Sequence, residues 1–218
     1  METLFQQYVV NGGVMMWLLV PCSLLMLGAI LQGIISLRRG RMLPRKLFRQ
    51  AREVSGATER EAFVNRLAGM SSPMAQAVWL TLSPLDWRQG KPEAQALQAH
   101  CEEAVTEVSD ELYDRLGMLG TIYTIAPYLG IMGTVLGMMH AFYEFGVLQQ
   151  KSIETLSVGI QQALVTTLWG LGIAIPAFIG ARWLQSRIRS YERQKLPEAV
   201  LRLVNDLYAH DAKTEGDT

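Results

Sequence analysis

The feature that most constrains this chain is where its charges are missing. No Asp, Glu, Lys or Arg occurs from Thr3 to Leu37, from Leu116 to Tyr143, or from Thr155 to Ala181. A helix rises about 1.5 Å per residue and a bilayer's hydrocarbon core is about 30 Å thick, so about 20 apolar residues span it. Each stretch is long enough. In water, three helices that are apolar on every side would need a complete protein shell. The rest of a 218-residue chain is too short to supply one. The sequence therefore predicts an all-α membrane protein with three transmembrane helices.

The charges that flank these stretches set the orientation, because Lys and Arg stay on the cytoplasmic side. No Lys or Arg precedes Arg38, which argues against a cleaved signal peptide. Arg38, Arg39, Arg41, Arg45, Lys46, Arg49 and Arg52 follow the first stretch, and Arg182, Arg187, Arg189, Arg193 and Lys195 follow the third. The only basic residue of the link between the second and third stretches is Lys151. The predicted layout is an external (periplasmic) N-terminus over 1–13 and a first membrane helix over 14–37. A cytoplasmic helical loop follows over 38–115 and a second membrane helix over 116–143. A short periplasmic loop covers 144–154, a third membrane helix 155–183, and a cytoplasmic C-terminal helix and tail 184–218. Total charge excludes little except a nucleic-acid partner, since 20 basic residues balance 20 acidic ones.

Within the loop, Thr58-Glu59-Arg60-Glu61 reads as a capping box, Ser72-Pro73 as a helix start, and Ser83-Pro84 and Gly90-Lys91-Pro92 as turns. Leu97, Cys101, Ala104, Val105, Val108, Leu112 and Leu116 recur at helical spacing with acids on the other faces. This amphipathic helix has no break before Gly117, so it should run straight into the second membrane helix. It serves either as a stalk for subunit contacts or as a solvated helix packed on its own chain. The third membrane helix should likewise extend beyond the membrane until Pro197 kinks or stops it. Leu201, Val204 and Leu207 suggest a last amphipathic turn or two.

Small residues help membrane helices associate. The second helix carries Gly117, Gly120, Ala126, Gly130, Gly133, Thr134 and Gly137, and the third Gly159, Ala163, Gly170, Gly172, Ala174 and Ala177. Gly133 and Gly137 form a GxxxG pair. Polar groups are few. Gln162 and Thr166 lie one turn apart and share a face. They form either a polar pore stripe or interhelical hydrogen bonds. His140, near the external end of the second helix, reads as an interfacial histidine before a proton relay. Cys22 and Cys101 show no metal or disulfide spacing. No nucleophile elbow, Walker loop or HExxH motif occurs, and the second and third helices hold no carboxylate or lysine. No enzyme and no cofactor are expected.

Two runs carry a resemblance. Ala126-Pro127-Tyr128-Leu129-Gly130-Ile131-Met132-Gly133-Thr134-Val135-Leu136-Gly137-Met138 and Gly159-Ile160-Gln161-Gln162-Ala163-Leu164-Val165-Thr166-Thr167-Leu168-Trp169-Gly170-Leu171, continued by Ala174-Ile175-Pro176-Ala177, are similar to the signature runs of the ExbB/TolQ/MotA family. The resemblance covers the second and third helices; the first helix and the loop match in layout. It implies a bacterial inner-membrane protein that assembles as a pentamer. In that assembly helices two and three surround a pore that holds single-span partners of the ExbD/TolR/MotB kind. Each partner brings a membrane Asp that takes and releases a proton or sodium ion. Thr134 and Thr167 match the pore threonines, and Pro127 and Pro176 match the helix-bending prolines. Gln162 stands where ExbB and TolQ relatives often have Glu. The resemblance implies a motor subunit that spends ion motive force on envelope work. The alternative is a non-conducting membrane scaffold whose small residues only pack helices.

Overall fold

The computed structural model describes residues 14–54, 56–85, 91–148 and 153–209. The expected external N-terminus, the centre of the short link and the C-terminal tail lie outside them. Among the described residues all regular structure is helical. The elements are α1 (Val14–Ser36), α2 (Arg39–Met42), α3 (Arg45–Glu53), α4 (Ala57–Ala68), α5 (Pro73–Leu82), α6 (Ala94–Leu148), α7 (Ile153–Ser190) and α8 (Leu196–Leu207). Three are long and apolar enough to cross a membrane, over Met15–Ser36, Ala94–Gly146 and Leu156–Leu207, the last running through α7 into α8. Within the two longer ranges, the uncharged parts are Leu116–Tyr143 and Leu156–Ala181.

The chain divides into two compact units. The first comprises Met1–Gln32 and Leu116–Trp183 and the second Gly33–Arg115 and Leu184–Thr218. In the first unit many buried side chains are small, among them Ala126, Ala141, Ala163, Ala174, Ala177 and Ala181, beside Met16, Leu19 and Leu119. Large apolar groups face outward, among them Trp17, Leu24, Tyr128, Met139, Leu168 and Ile179. That inversion of the soluble pattern is what a lipid environment permits, since apolar surface gains nothing by hiding from hydrocarbon. Tyr123 and Phe178 add an edge-to-face ring contact, centroids 5.4 Å apart.

The second unit has the opposite arrangement. Leu47 and Ala51 of α3, Phe63 and Leu67 of α4, Met74, Val78 and Leu82 of α5, and Leu196, Val200, Leu203, Val204 and Leu207 of α8 form one core. Leu97, Cys101, Val105 and Val108 of α6 complete it. These four residues of the α6 stripe thus pack on their own chain.

Helix α6 is continuous through Gly117, as its unbroken pattern required. It runs on to Leu148 and α7 begins at Ile153, so helix occupies both ends of the expected 144–154 link. Ser72-Pro73 opens α5 with Pro at the first position. Two local readings are corrected, and at Pro197 one of the two expected outcomes, a stop, is not seen. Helix α4 starts at Ala57, before the proposed capping box, and Gly56 precedes it with φ +86°. That left-handed conformation suits glycine and sets the chain direction without a side-chain cap. Pro197 does not stop the path of α7. It lacks an N–H, and the wide turn Tyr191–Lys195 absorbs the mismatch: the Leu196 N–H donates to the Tyr191 carbonyl, five residues back. The following helix is 12 residues long instead of a turn or two, and Leu203 takes the buried place expected of Leu201.

Candidate functional site

The seam between α6 and α7 is built from pairs of small residues at steps of three or four. A Cβ placed on Gly159 would lie 2.7 Å from the Ala141 Cβ, and one on Gly137 would lie 2.8 Å from the Ala163 Cβ. One on Gly133 would lie 2.6 Å from the Thr166 Oγ1. At Gly130 it would meet the Thr166 carbonyl and Thr167 Cα, both at 3.0 Å, and at Gly170 the Ala126 carbonyl at 2.6 Å. The order Ala141–Gly159, Gly137–Ala163, Gly133–Thr166, Gly130–Gly170 is that of two antiparallel helices in backbone contact. The GxxxG pair is therefore two rungs of a longer ladder. Gly117 and Gly172 have open space where a Cβ would stand and take no part in it. Pro127 and Pro176 both lie inside their helices.

This close approach gathers three hydroxyls. The Thr166 hydroxyl lies 2.7 Å from the Ala163 carbonyl and 3.2 Å from the Gly130 carbonyl of the facing helix. The Thr167 hydroxyl lies 3.1 Å from the same Gly130 oxygen. The Thr134 hydroxyl lies 3.2 Å from the Gly130 carbonyl and 3.1 Å from the Ala163 carbonyl, and it contacts the Thr167 hydroxyl directly. Three donor protons are thus shared by two carbonyls and by one another. Gly130 is available as acceptor only because it has no side chain to hold α7 away.

Thr166 is buried in the seam, whereas Thr134 and Thr167 are half-buried. The pair Thr134–Thr167 is thus the exposed edge of the cluster. Gln162 is half-buried as well, and no hydrogen bond joins it to the three threonines. Sharing a helical face with Thr166 did not bring it into the cluster. The carbonyls of Gly130 and Ala163 were not legible as site groups. Their only signal was the small side chain that lets a neighbour reach the backbone.

The chemistry open to such a cluster is narrow. Threonine hydroxyls donate to a carboxylate or offer lone pairs to a cation, and they hold no charge at ordinary pH. Among the described residues no group of three or more His, Cys, Asp or Glu stands together to hold a metal. Cys22 and Cys101 are free thiols. His140 is exposed and faces Glu144 of its own helix at 3.9 Å, so it lies apart from the threonines.

These features define an all-helical membrane protein whose facing helices carry a polar, uncharged seam. Residues 60–195 match the MotA/TolQ/ExbB proton channel family, and the chain belongs to that family. It is similar to the Tol-Pal system protein TolQ of Haemophilus influenzae, 34% identical over 41% of this chain and 40% of the relative. It is similar to the biopolymer transport protein ExbB of Helicobacter pylori, 44% identical over 32% of this chain and 48% of the relative. With the ExbB of Salmonella typhimurium the identity is 29% over 68% of this chain and 63% of the relative. The chain spans about half the length of the curated relatives it matches.

Proposed function

We propose that this chain is the channel-forming subunit of an inner-membrane motor that spends a proton or sodium motive force on work in the cell envelope. The observation that carries the reading is the half-buried Thr134–Thr167 pair at the edge of a seam with no charge of its own. Moving one charge through 100 mV releases about 2.3 kcal/mol. A machine that captures this energy needs a group that gains and loses charge, and α6 and α7 hold no Asp or Glu between Leu116 and Tyr143 or between Thr155 and Ala181. His140 lies apart from the threonines, so in this reading the titrating group comes from a second chain.

In this reading a single-span partner of the ExbD/TolR/MotB kind inserts an Asp beside Thr134 and Thr167. Its charged form is stabilised by the two hydroxyls, because an ionised carboxylate in hydrocarbon is costly without donors. Arrival of the ion removes that charge and weakens the fit, so the partner shifts. Five copies of this subunit around two partners turn such shifts into rotation. Gln162 sits where a relative's Glu would stand, and the partner's Asp alone handles the ion. Buried Thr166, with Gly130, Gly133, Gly137 and Gly170, holds the helices at the spacing the pair needs. The N-terminus is periplasmic, and α6 and α7 extend into the cytoplasm, where Arg187, Arg189 and Arg193 belong by the positive-inside rule.

The test is ion flux through the assembled complex. The full chain is purified with whatever single-span protein accompanies it and is placed in liposomes under a membrane potential. T134V/T167V should assemble normally and lose at least tenfold in flux, and T134S/T167S should keep most of it. Full flux in the valine variant, or a purified assembly with no Asp-bearing partner, would favour the non-conducting scaffold instead.

A further inference from the structure

A groove of about 1000 Å³ opens in the second unit, walled by α3, α8 and the turns before them. Arg45, Arg49, Arg52, Lys195 and Arg202 line it, against the single acid Glu198. The Arg52 Nε bonds the Asp206 Oδ2 at 3.1 Å. The Arg202 guanidinium lies 5.8 Å from the Phe48 ring centre, and the Lys195 ammonium 4.9 Å from that of Tyr191. Ring contacts of this kind hold a cation in place without neutralising it. Among the described residues no ion pair or hydrogen bond engages the side chain of Arg45 or Arg49. Cations gathered this way repel one another, and an anion between them removes the repulsion.

The chemistry of the wall narrows the anion. A guanidinium presents a planar fork that matches phosphate oxygens two at a time. Leu43, Phe48 and Ala199 add apolar surface to the same groove, which a small hydrated ion would leave unused and an amphiphile would cover. The location fits as well. Gly40, on the groove's wall, follows the last residue of α1, Ser36, by four positions. Four residues reach at most about 14 Å, and the headgroup layer is about 5–8 Å deep on each side of the hydrocarbon.

We infer that this groove binds a phosphate-bearing anion, supplied by the headgroup of an anionic phospholipid. The site is separate from the threonine seam and does not depend on ion conduction. The test is calorimetric titration of the full-length protein in neutral detergent with dihexanoyl phosphatidylglycerol, dihexanoyl phosphatidylcholine and inorganic phosphate. Phosphatidylglycerol should bind saturably, phosphatidylcholine should not bind, and phosphate should bind at least tenfold more weakly. R45Q/R49Q should lower phosphatidylglycerol affinity by about tenfold or more, at roughly fivefold per charge removed. R66Q, which removes a cation outside the groove, should change it by less than about twofold. Equal binding of the two lipids, or unchanged affinity in R45Q/R49Q, overturns the inference. Phosphate binding as tight as phosphatidylglycerol overturns the lipid source. Should the double variant not fold, raising NaCl from about 50 to about 500 mM on the unaltered protein replaces it. Affinity for phosphatidylglycerol should then fall at least tenfold, and a salt-independent affinity overturns the site.

Discussion

In the first unit, α6 and α7 meet through Gly130, Gly133, Gly137, Ala141, Gly159, Ala163 and Gly170, while Leu24, Leu168 and Ile179 point away. In the second unit, Leu67, Met74, Leu82, Leu196 and Leu203 are fully buried, while Arg45, Arg49, Arg52 and Arg202 are exposed. Each arrangement would fail in the other's solvent. Water drives large apolar groups together at about 25 cal/mol per Å² buried. Hydrocarbon provides no such drive, so helices there associate through close backbone contact and the hydrogen bonds it allows. Only the glycine seam brings a carbonyl within reach of three hydroxyls. Bulky packing would have kept the backbones too far apart for that cluster to exist.

The comparison can be broken most directly by truncation. Leu203→Ala, at a fully buried position of α8, should cost about 3 kcal/mol. Leu24→Ala, at a position 65% exposed on α1, should stay within about 0.5 kcal/mol. Urea melts followed by circular dichroism in micelles would measure both, and equal losses would mean that α1 packs against protein as tightly as α8 does.

Adding a methyl probes the seam from the other side. In Gly170→Ala the new Cβ meets the Ala126 carbonyl at 2.6 Å, which is backbone and cannot rotate away. A cost of about 1–3 kcal/mol is expected, together with loss of the Thr134–Thr167 contact. Gly172→Ala has nothing within 4 Å and should gain roughly 0.5–1 kcal/mol from helix propensity. The same melts compare the two variants; similar behaviour would remove close packing as the reason for these glycines.

The smallest effect is expected at the surface of the second unit. Arg52 and Asp206 pair with side chains 58% and 18% exposed, and a double-mutant cycle to alanine should return at most about 1 kcal/mol. A larger coupling would place this pair among the unit's structural contacts instead of on its solvated rim.

Much of this protein is legible from charge and periodicity. Three uncharged stretches announced three helices able to cross a membrane, because a residue's cost in hydrocarbon depends on its own chemistry. The stripe from Leu97 to Leu116 announced its buried face, and the lack of a breaker before Gly117 announced one continuous helix. Local rules misled where the backbone had other means. Gly56 turned the chain before the capping box could, and a wide turn carried the helix past Pro197. Leu203 displaced Leu201 because the phase of α8 follows from that turn.

What the sequence could not decide was which small residues face one another. Gly130, Gly170 and Gly172 look alike in a string of letters, yet the first two touch and the third stands in the open. Gln162 and Thr166 share a helical face, yet only Thr166 joins the hydroxyl cluster. The amino acids alone determined that the helices belong in hydrocarbon, since transfer energy is a property of each side chain. Only the tertiary structure decided that Thr134, Thr166 and Thr167 converge on the Gly130 carbonyl, because that meeting depends on the register between two helices, and register is a property of the pair.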